Sequence, residues 1–163
     1  MFFLRVAGPD DAEQMREVWL RSIREICGPD CGNDRELLDR WCSTKTVERV
    51  RALLTDRDIV WLIATEASGK IVGLGGLHRR GDILACYVLP EVLHRGVGKT
   101  LLLALEREAV GLGLKDLKLG STATAVPFYR RNGYCPDGEP FLFLDIIKAY
   151  PMKKALVPHA PGG

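Results

Sequence analysis

No apolar run in this chain approaches the ~20 residues that a membrane-crossing helix needs. A charge of one sign is missing as well: 23 Lys and Arg stand against 21 Asp and Glu, a net charge of +2. Such a balance offers no general attraction to nucleic acid or to an anionic membrane, so any anion site must be local. Histidine is scarce, with three in all, and the five cysteines (Cys27, Cys31, Cys42, Cys86, Cys135) include no C-x-x-C pair. An odd set of thiols without that pairing argues against a disulfide framework and for the reducing cytoplasm. Cys27 and Cys31 have no histidine near enough in sequence to complete a zinc set, so no metal is expected. The N-terminus, MFFLRVAGPDDAE, turns acidic too early for a signal peptide.

What is present is a globular chain of 163 residues, 47% hydrophobic and 27% charged. That length suffices to bury a core without staples. We expect a single domain over 1–155 and a frayed tail over 156–163. Residues 2–7 read as a short strand. Asp10 or Asp11 can cap a following helix to about residue 27, with Glu13 or Gln14 as reciprocal partner. Ala12, Met15, Trp19, Ile23 and Ile26 form its apolar stripe. Helices are expected near 34–42 and 46–55. The period then changes: 59–66, 70–78 and 82–89 read as strands, the first two joined at Ala67-Ser68-Gly69. A helix follows at 97–112, burying Val97, Leu101, Leu105 and Ala109. Beyond it come a strand near 115–121, a short helix at 124–132, and strands at 139–147 and 150–155. The order implies an α/β (α+β) fold, a mixed but mostly antiparallel sheet of six or seven strands flanked by helices.

The segment from Ile83 to Leu105 carries the chemistry. A strand meets a Pro-Glu elbow, then a Gly-containing turn that opens into an apolar helix. Free N–H groups and the positive end of a helix dipole make a phosphate site there. GVGKT (Gly96–Thr100) is not a P-loop, because Leu93 stands where G-x-x-x-x-G-K-[ST] needs glycine. A dinucleotide fingerprint fails as well, with Leu101 in place of its third glycine.

YVLPEVLHRGVGKTLL instead resembles the pyrophosphate motif R/Q-x-x-G-x-G/A of the GNAT superfamily, the Gcn5-related N-acetyltransferases. It runs here as Leu93, His94, Arg95, Gly96, Val97, Gly98, with Leu93 departing from the usual Arg or Gln. STATAVPFYRRNGY is similar to the family's N-x-x-A-x-x-x-Y-x-x-x-G-F/Y: Ala125, Tyr129, Gly133 and Tyr134 match, and Thr122 takes the Asn position.

The resemblance implies a GNAT fold and a GNAT-type N-acetyltransferase that uses acetyl-CoA, without metal, to acetylate a primary amine of a small molecule or peptide. It implies pyrophosphate binding by the backbone amides of His94, Arg95, Gly96, Val97, Gly98 and Lys99 and by the Thr100 hydroxyl. It also implies an acetyl-pantetheine arm held by Cys86, Tyr87 and Val88, a binding role for Thr122, and Tyr129 as the acid that protonates the thiolate. Cys86, mid-strand and without an identifiable base, reads as packing rather than nucleophile. The general base stays open. Leu117 occupies the position where ribosomal-protein acetyltransferases carry Glu, and His78, Asp82 and Asp30 are candidates. Dimerisation is common in the family, so a homodimer is one expectation. A non-catalytic acyl-CoA-binding sensor of the same fold is the alternative, kept open by Leu93 and Thr122.

Overall fold

A computed structural model describes residues 1–157. The tail expected at 156–163 therefore lies mostly outside the described residues. Strand β1 (Phe3–Val6) precedes helices α1 (Ala12–Glu25), α2 (Arg35–Ser43) and α3 (Val47–Thr55). Strands β2 (Ile59–Thr65), β3 (Ile71–His78) and β4 (Ile83–Val88) follow, then α4 (Val97–Gly111), β5 (Asp116–Ser121) and α5 (Val126–Arg131). The chain closes with β6 (Cys135–Pro136), β7 (Phe141–Phe143) and β8 (Ile147–Ala155).

The strands form two antiparallel sheets, ordered β1-β2-β3-β4 and β5-β8-β6, with β7 also paired to β8. A two-residue β6, absent from the sequence pattern, brings the strands among the described residues to eight. The expected strand over 139–147 shrinks to β7 because Leu144 and Asp145 both take positive φ and turn the chain back into β8. Only one isolated parallel bridge, Asp82 with Lys118, links β4 to β5. Past that bridge the two strands part. The splay is the feature on which the site is built.

The N-terminal cap differs from expectation. Asp11 faces backwards from a 3-10 turn, accepting from Gly8 N at 2.8 Å and from both terminal nitrogens of Arg5 at 2.8 Å. Gln14 Oε1 accepts instead from Ile71 N at 3.2 Å, tying α1 to β3. Asp34 and Thr46 do cap α2 and α3 through their side chains. The expected stripe of α4 is buried in full, joined by Leu102 and Ala104. None of the described helices is long and apolar enough to cross a membrane.

A buried polar cluster locks the two halves together. Glu106 on α4 accepts from the Tyr134 hydroxyl at 3.0 Å and from Lys154 Nζ on β8 at 3.1 and 3.2 Å. Removing the carboxylate strands both donors in a poorly hydrated site. Glu106→Ala should therefore cost about 3 kcal/mol, read as a lowered urea midpoint at unchanged slope.

Candidate active site between the splayed strands

The two glycines of the turn before α4 have separate uses. Gly96 caps the helix at φ 84, a left-handed conformation that costs glycine little. Gly98 leaves a shallow surface: a Cβ there would come no closer than 3.5 Å to its nearest neighbour, the Phe128 ring. Protein packing therefore does not demand glycine at 98, and the space over its backbone is open to a ligand. The first rung of α4 is Thr100 N–H to Gly96 O at 3.0 Å. The N–H groups of Val97, Gly98 and Lys99 thus have no acceptor within the helix.

Not every residue of the turn is aimed at that space. His94, at φ 61, lines the cleft together with Leu93, Gly96, Gly98 and Lys99. Arg95 does not: its N–H closes a turn onto Val92 O at 3.3 Å, and its guanidinium lies 5.2 Å from the Phe2 ring centroid. The Thr100 hydroxyl donates to Gly96 O at 2.8 Å, so its proton is already used. Val97 sends its side chain into the core, leaving its N–H as what it can offer. The Arg95 amide and the Thr100 hydroxyl proton, both expected at the pyrophosphate, are thus engaged within the protein, while the Val97 amide stays free.

Strand β4 supplies the next part. Leu89 N–H donates to Val72 O at 2.8 Å, and Tyr87 stands opposite Leu74 in the same ladder. Antiparallel alternation then turns the backbone N–H and C=O of Cys86 and Val88 away from β3, toward the splay. Tyr87's own N–H belongs to the ladder, and Tyr87 reaches the cleft through its side chain. The register shift opposite Gly76 and Leu77 places an extra residue, Leu84, in β4. That bulge helps β4 bend away from β5.

The cleft between these elements has a volume of about 1090 Å³. It runs from the α4 turn past Cys86, Tyr87 and Val88 to Thr122, Phe128, Arg131 and Asn132. A small recess of about 50 Å³ lies within the splay, where Cys86 and Tyr87 face Thr122 and Tyr129. Thr122 keeps its loop in shape by accepting from Ala125 N at 3.2 Å. Tyr129 is 7% exposed and is wedged edge-on between Phe128 and Tyr134, with ring centroids at 5.1 and 5.6 Å. Its hydroxyl has no hydrogen-bond partner among the described residues. Burial pushes its ionisation well above the ordinary tyrosine value, so it stays protonated.

Burial also pushes the Cys86 and Cys27 thiols up to about 12. Neither is a thiolate at neutral pH, which fits packing rather than nucleophilic chemistry at Cys86. Cys135 is the exposed thiol of the five. A thiol reagent added to native protein should therefore label Cys135 fast, the half-buried Cys86 slowly through the cleft, and the three buried thiols only on unfolding; labelling of Cys86 as fast as Cys135 would contradict its raised ionisation.

The candidate bases separate. His78 and Asp82 sit at the closed end of β4, where Asp82 bridges to Lys118 and pairs with Arg80, and neither lines the cleft. Asp30 does not line it either, but it holds Thr124, which does. Its two oxygens accept from Thr124 N at 3.0 Å and Thr124 Oγ1 at 2.6 Å, so the loop after α1 straps across to the loop before α5. Ser22 on α1 and Ile26 and Cys27 just beyond it also line the cleft. Ile26 ends the apolar stripe read from the sequence, which gave no sign that the end of that stripe faces a ligand. Among the described residues no group of three His, Cys, Asp or Glu side chains could hold a metal ion.

The description of an acetyltransferase (GNAT) domain matches residues 34–156. The chain belongs to the GNAT acetyltransferase family. Its mixed fold, with antiparallel sheets flanked by helices, is that of solved GNAT proteins. A GCN5-related N-acetyltransferase from Rhodopseudomonas palustris is 27% identical, with a TM-score of 0.85 over 94% of this chain and 95% of that one. PaiA N-acetyltransferase from Thermoplasma acidophilum, solved in complex with coenzyme A, is 21% identical with a TM-score of 0.78, over 95% and 99% of the two chains. Among curated relatives, an amino-acid acetyltransferase of Pseudomonas paraeruginosa is 35% identical over 96 residues, 56% of this chain. One from Pseudomonas putida is 28% identical over 121 residues, 71% of this chain. This GNAT chain spans 22% and 28% of the length of those two proteins.

Proposed function

We propose that this GNAT domain transfers the acetyl group of acetyl-CoA directly to a primary amine of a small molecule or peptide. One observation carries the proposal: a cleft in which a helix N-terminus with free N–H groups, two unpaired backbone positions on β4 and a protonated buried tyrosine converge. The N–H groups of Val97, Gly98 and Lys99 would take the pyrophosphate, with Lys99 and Arg131 nearby as cations. The outward backbone groups of Cys86 and Val88 would replace the missing β5 partner with the pantetheine arm and the thioester oxygen. The loop held by Thr122 would close the other side.

Attack by the neutral amine forms the C–N bond as the C–S bond breaks, and the departing sulfur takes the Tyr129 proton. A thiol ordinarily ionises near ~8.5, well below tyrosine. The transfer is uphill for the isolated pair; the proton that the amine gives up returns to Tyr129 through water, so amide and free thiol are the products and the tyrosine is restored. No carboxylate among the described residues lines the cleft, so the amine gives up its proton to water. The rate should then climb with pH as the free-amine fraction grows. The deciding experiment is chromatographic detection of CoA and acetylated product from acetyl-CoA with a panel of amines. Product formation supports transfer; tight acetyl-CoA binding without product from any amine favours a sensor instead.

A further inference from the structure

The cleft is electrostatically one-sided. Its charged and ionisable-basic side chains are His94 and Lys99 at the α4 turn and Arg131 on α5, the helix whose Phe128 packs toward Gly98. No Asp or Glu among the described residues lines it, and the remaining residues, PHAPGG, contain none. The carboxylate beside the α1 end is Asp30, which after burial adds to the upward shifts of Cys27 and Tyr87, and both its oxygens accept from Thr124. The wall there is made of Ser22, Ile26, Cys27 and Tyr87.

Tyr87 is held from behind. Its ring lies 5.9 Å from Trp19, which lies 5.6 Å from Trp61, a row of three aromatics across α1 and the sheet. Trp19 Nε1 is buried without a hydrogen-bond partner; it lies near enough to the Tyr87 hydroxyl to oppose its upward shift, but outside hydrogen-bond geometry. The rim of the splay is apolar as well. Leu84 in the β4 bulge is 40% exposed, and Phe141, 48% exposed, lays its ring on Gly120 at the opposite edge. Exposed large apolar groups at a recess are covered when a ligand of matching chemistry enters.

We propose that the acceptor is a primary amine with an apolar or aromatic body and no second positive charge, seated against Tyr87 and Ile26; this inference rests on the acetyl-transfer function above. A polycation would bring a second ammonium into a wall that no carboxylate lines; Asp30, behind it, keeps its charge but gives both oxygens to Thr124, so the desolvation of that ammonium would go without direct pairing. An apolar body needs no such partner there.

The test compares 2-phenylethylamine with spermidine and kanamycin on the full chain. It uses kcat/KM with acetyl-CoA, and calorimetric binding of each amine to the free and the desulfo-CoA-saturated protein. 2-Phenylethylamine should lead by roughly a hundred-fold. Ile26→Ala, at the residue of the seat that lies outside the acetyl-CoA positions, should raise its KM about ten-fold while leaving acetyl-CoA affinity within about two-fold. Ile26→Glu, at a half-buried position, should move the preference toward spermidine at least about ten-fold by supplying the missing carboxylate. Equal or better use of spermidine or kanamycin by the unaltered protein would overturn the inference, as would a preference unmoved by Ile26→Glu. A protein that bound the apolar amine selectively but no acetyl-CoA would sink the acetyl-transfer function and leave the amine site standing.

Discussion

Gly98→Glu should abolish measurable CoA binding while leaving the fold intact. The two halves of that expectation have different origins. A side chain at 98 would meet the Phe128 ring no closer than 3.5 Å, ordinary van der Waals contact, so the helix can carry it. The same side chain would place bulk and a full negative charge over the N–H groups of Val97, Gly98 and Lys99, where the proposed pyrophosphate would lie. Loss of those charge-assisted hydrogen bonds together with like-charge repulsion exceeds about 4 kcal/mol, roughly a thousand-fold in affinity. Calorimetry with CoA, beside circular dichroism and a urea titration, separates the two halves. Unchanged affinity in a folded protein would remove the phosphate from the start of α4. Gly98→Ala, which adds little bulk and no charge, should weaken binding far less.

Tyr129→Phe should reduce turnover by about a hundred-fold or more, the scale of a lost general acid, with acetyl-CoA affinity changed less than about three-fold. The ring would still pack between Phe128 and Tyr134, because the hydroxyl makes no protein hydrogen bond that the fold needs. The pH profile adds a second readout. A tyrosine pushed well above its ordinary value keeps its proton as pH rises, so the unaltered enzyme should show a rising limb from amine deprotonation and no falling limb below about pH 10. An equal loss of turnover and affinity in Tyr129→Phe would make the residue a binding group. A falling limb near pH 8 that disappears in the variant would show that Tyr129 ionises far more easily than its burial allows.

Much of this molecule was legible from local pattern. The strand, Pro-Glu elbow and Gly-containing turn predicted the start of α4 at Val97. Period-2 runs located β2, β3 and β4 to within a residue or so, because each is a half-buried or buried strand with its own hydrophobic register. Tyr129 was legible through its offset from Ala125 and Gly133. Errors fell where a side chain had competing partners. Asp11 could cap α1 by type, but Arg5 and Gly8 claimed its carboxylate. Arg95 and Thr100 stand in the phosphate motif, yet Val92 O takes the Arg95 amide proton and Gly96 O the Thr100 hydroxyl proton.

The residue order alone established the helix that opens at Gly96, the free N–H groups of its first turn, and the small residue at 98. Each depends on backbone closures spanning no more than four positions. Packing across the whole chain settled the rest: which N–H of β4 faces the splay, where Ser22 and Ile26 end up, and that Asp30 reaches Thr124 over a separation of 94 residues. Such contacts follow from how two sheets meet and part. No spacing in a linear sequence encodes them, because the partner is chosen by the burial of everything between.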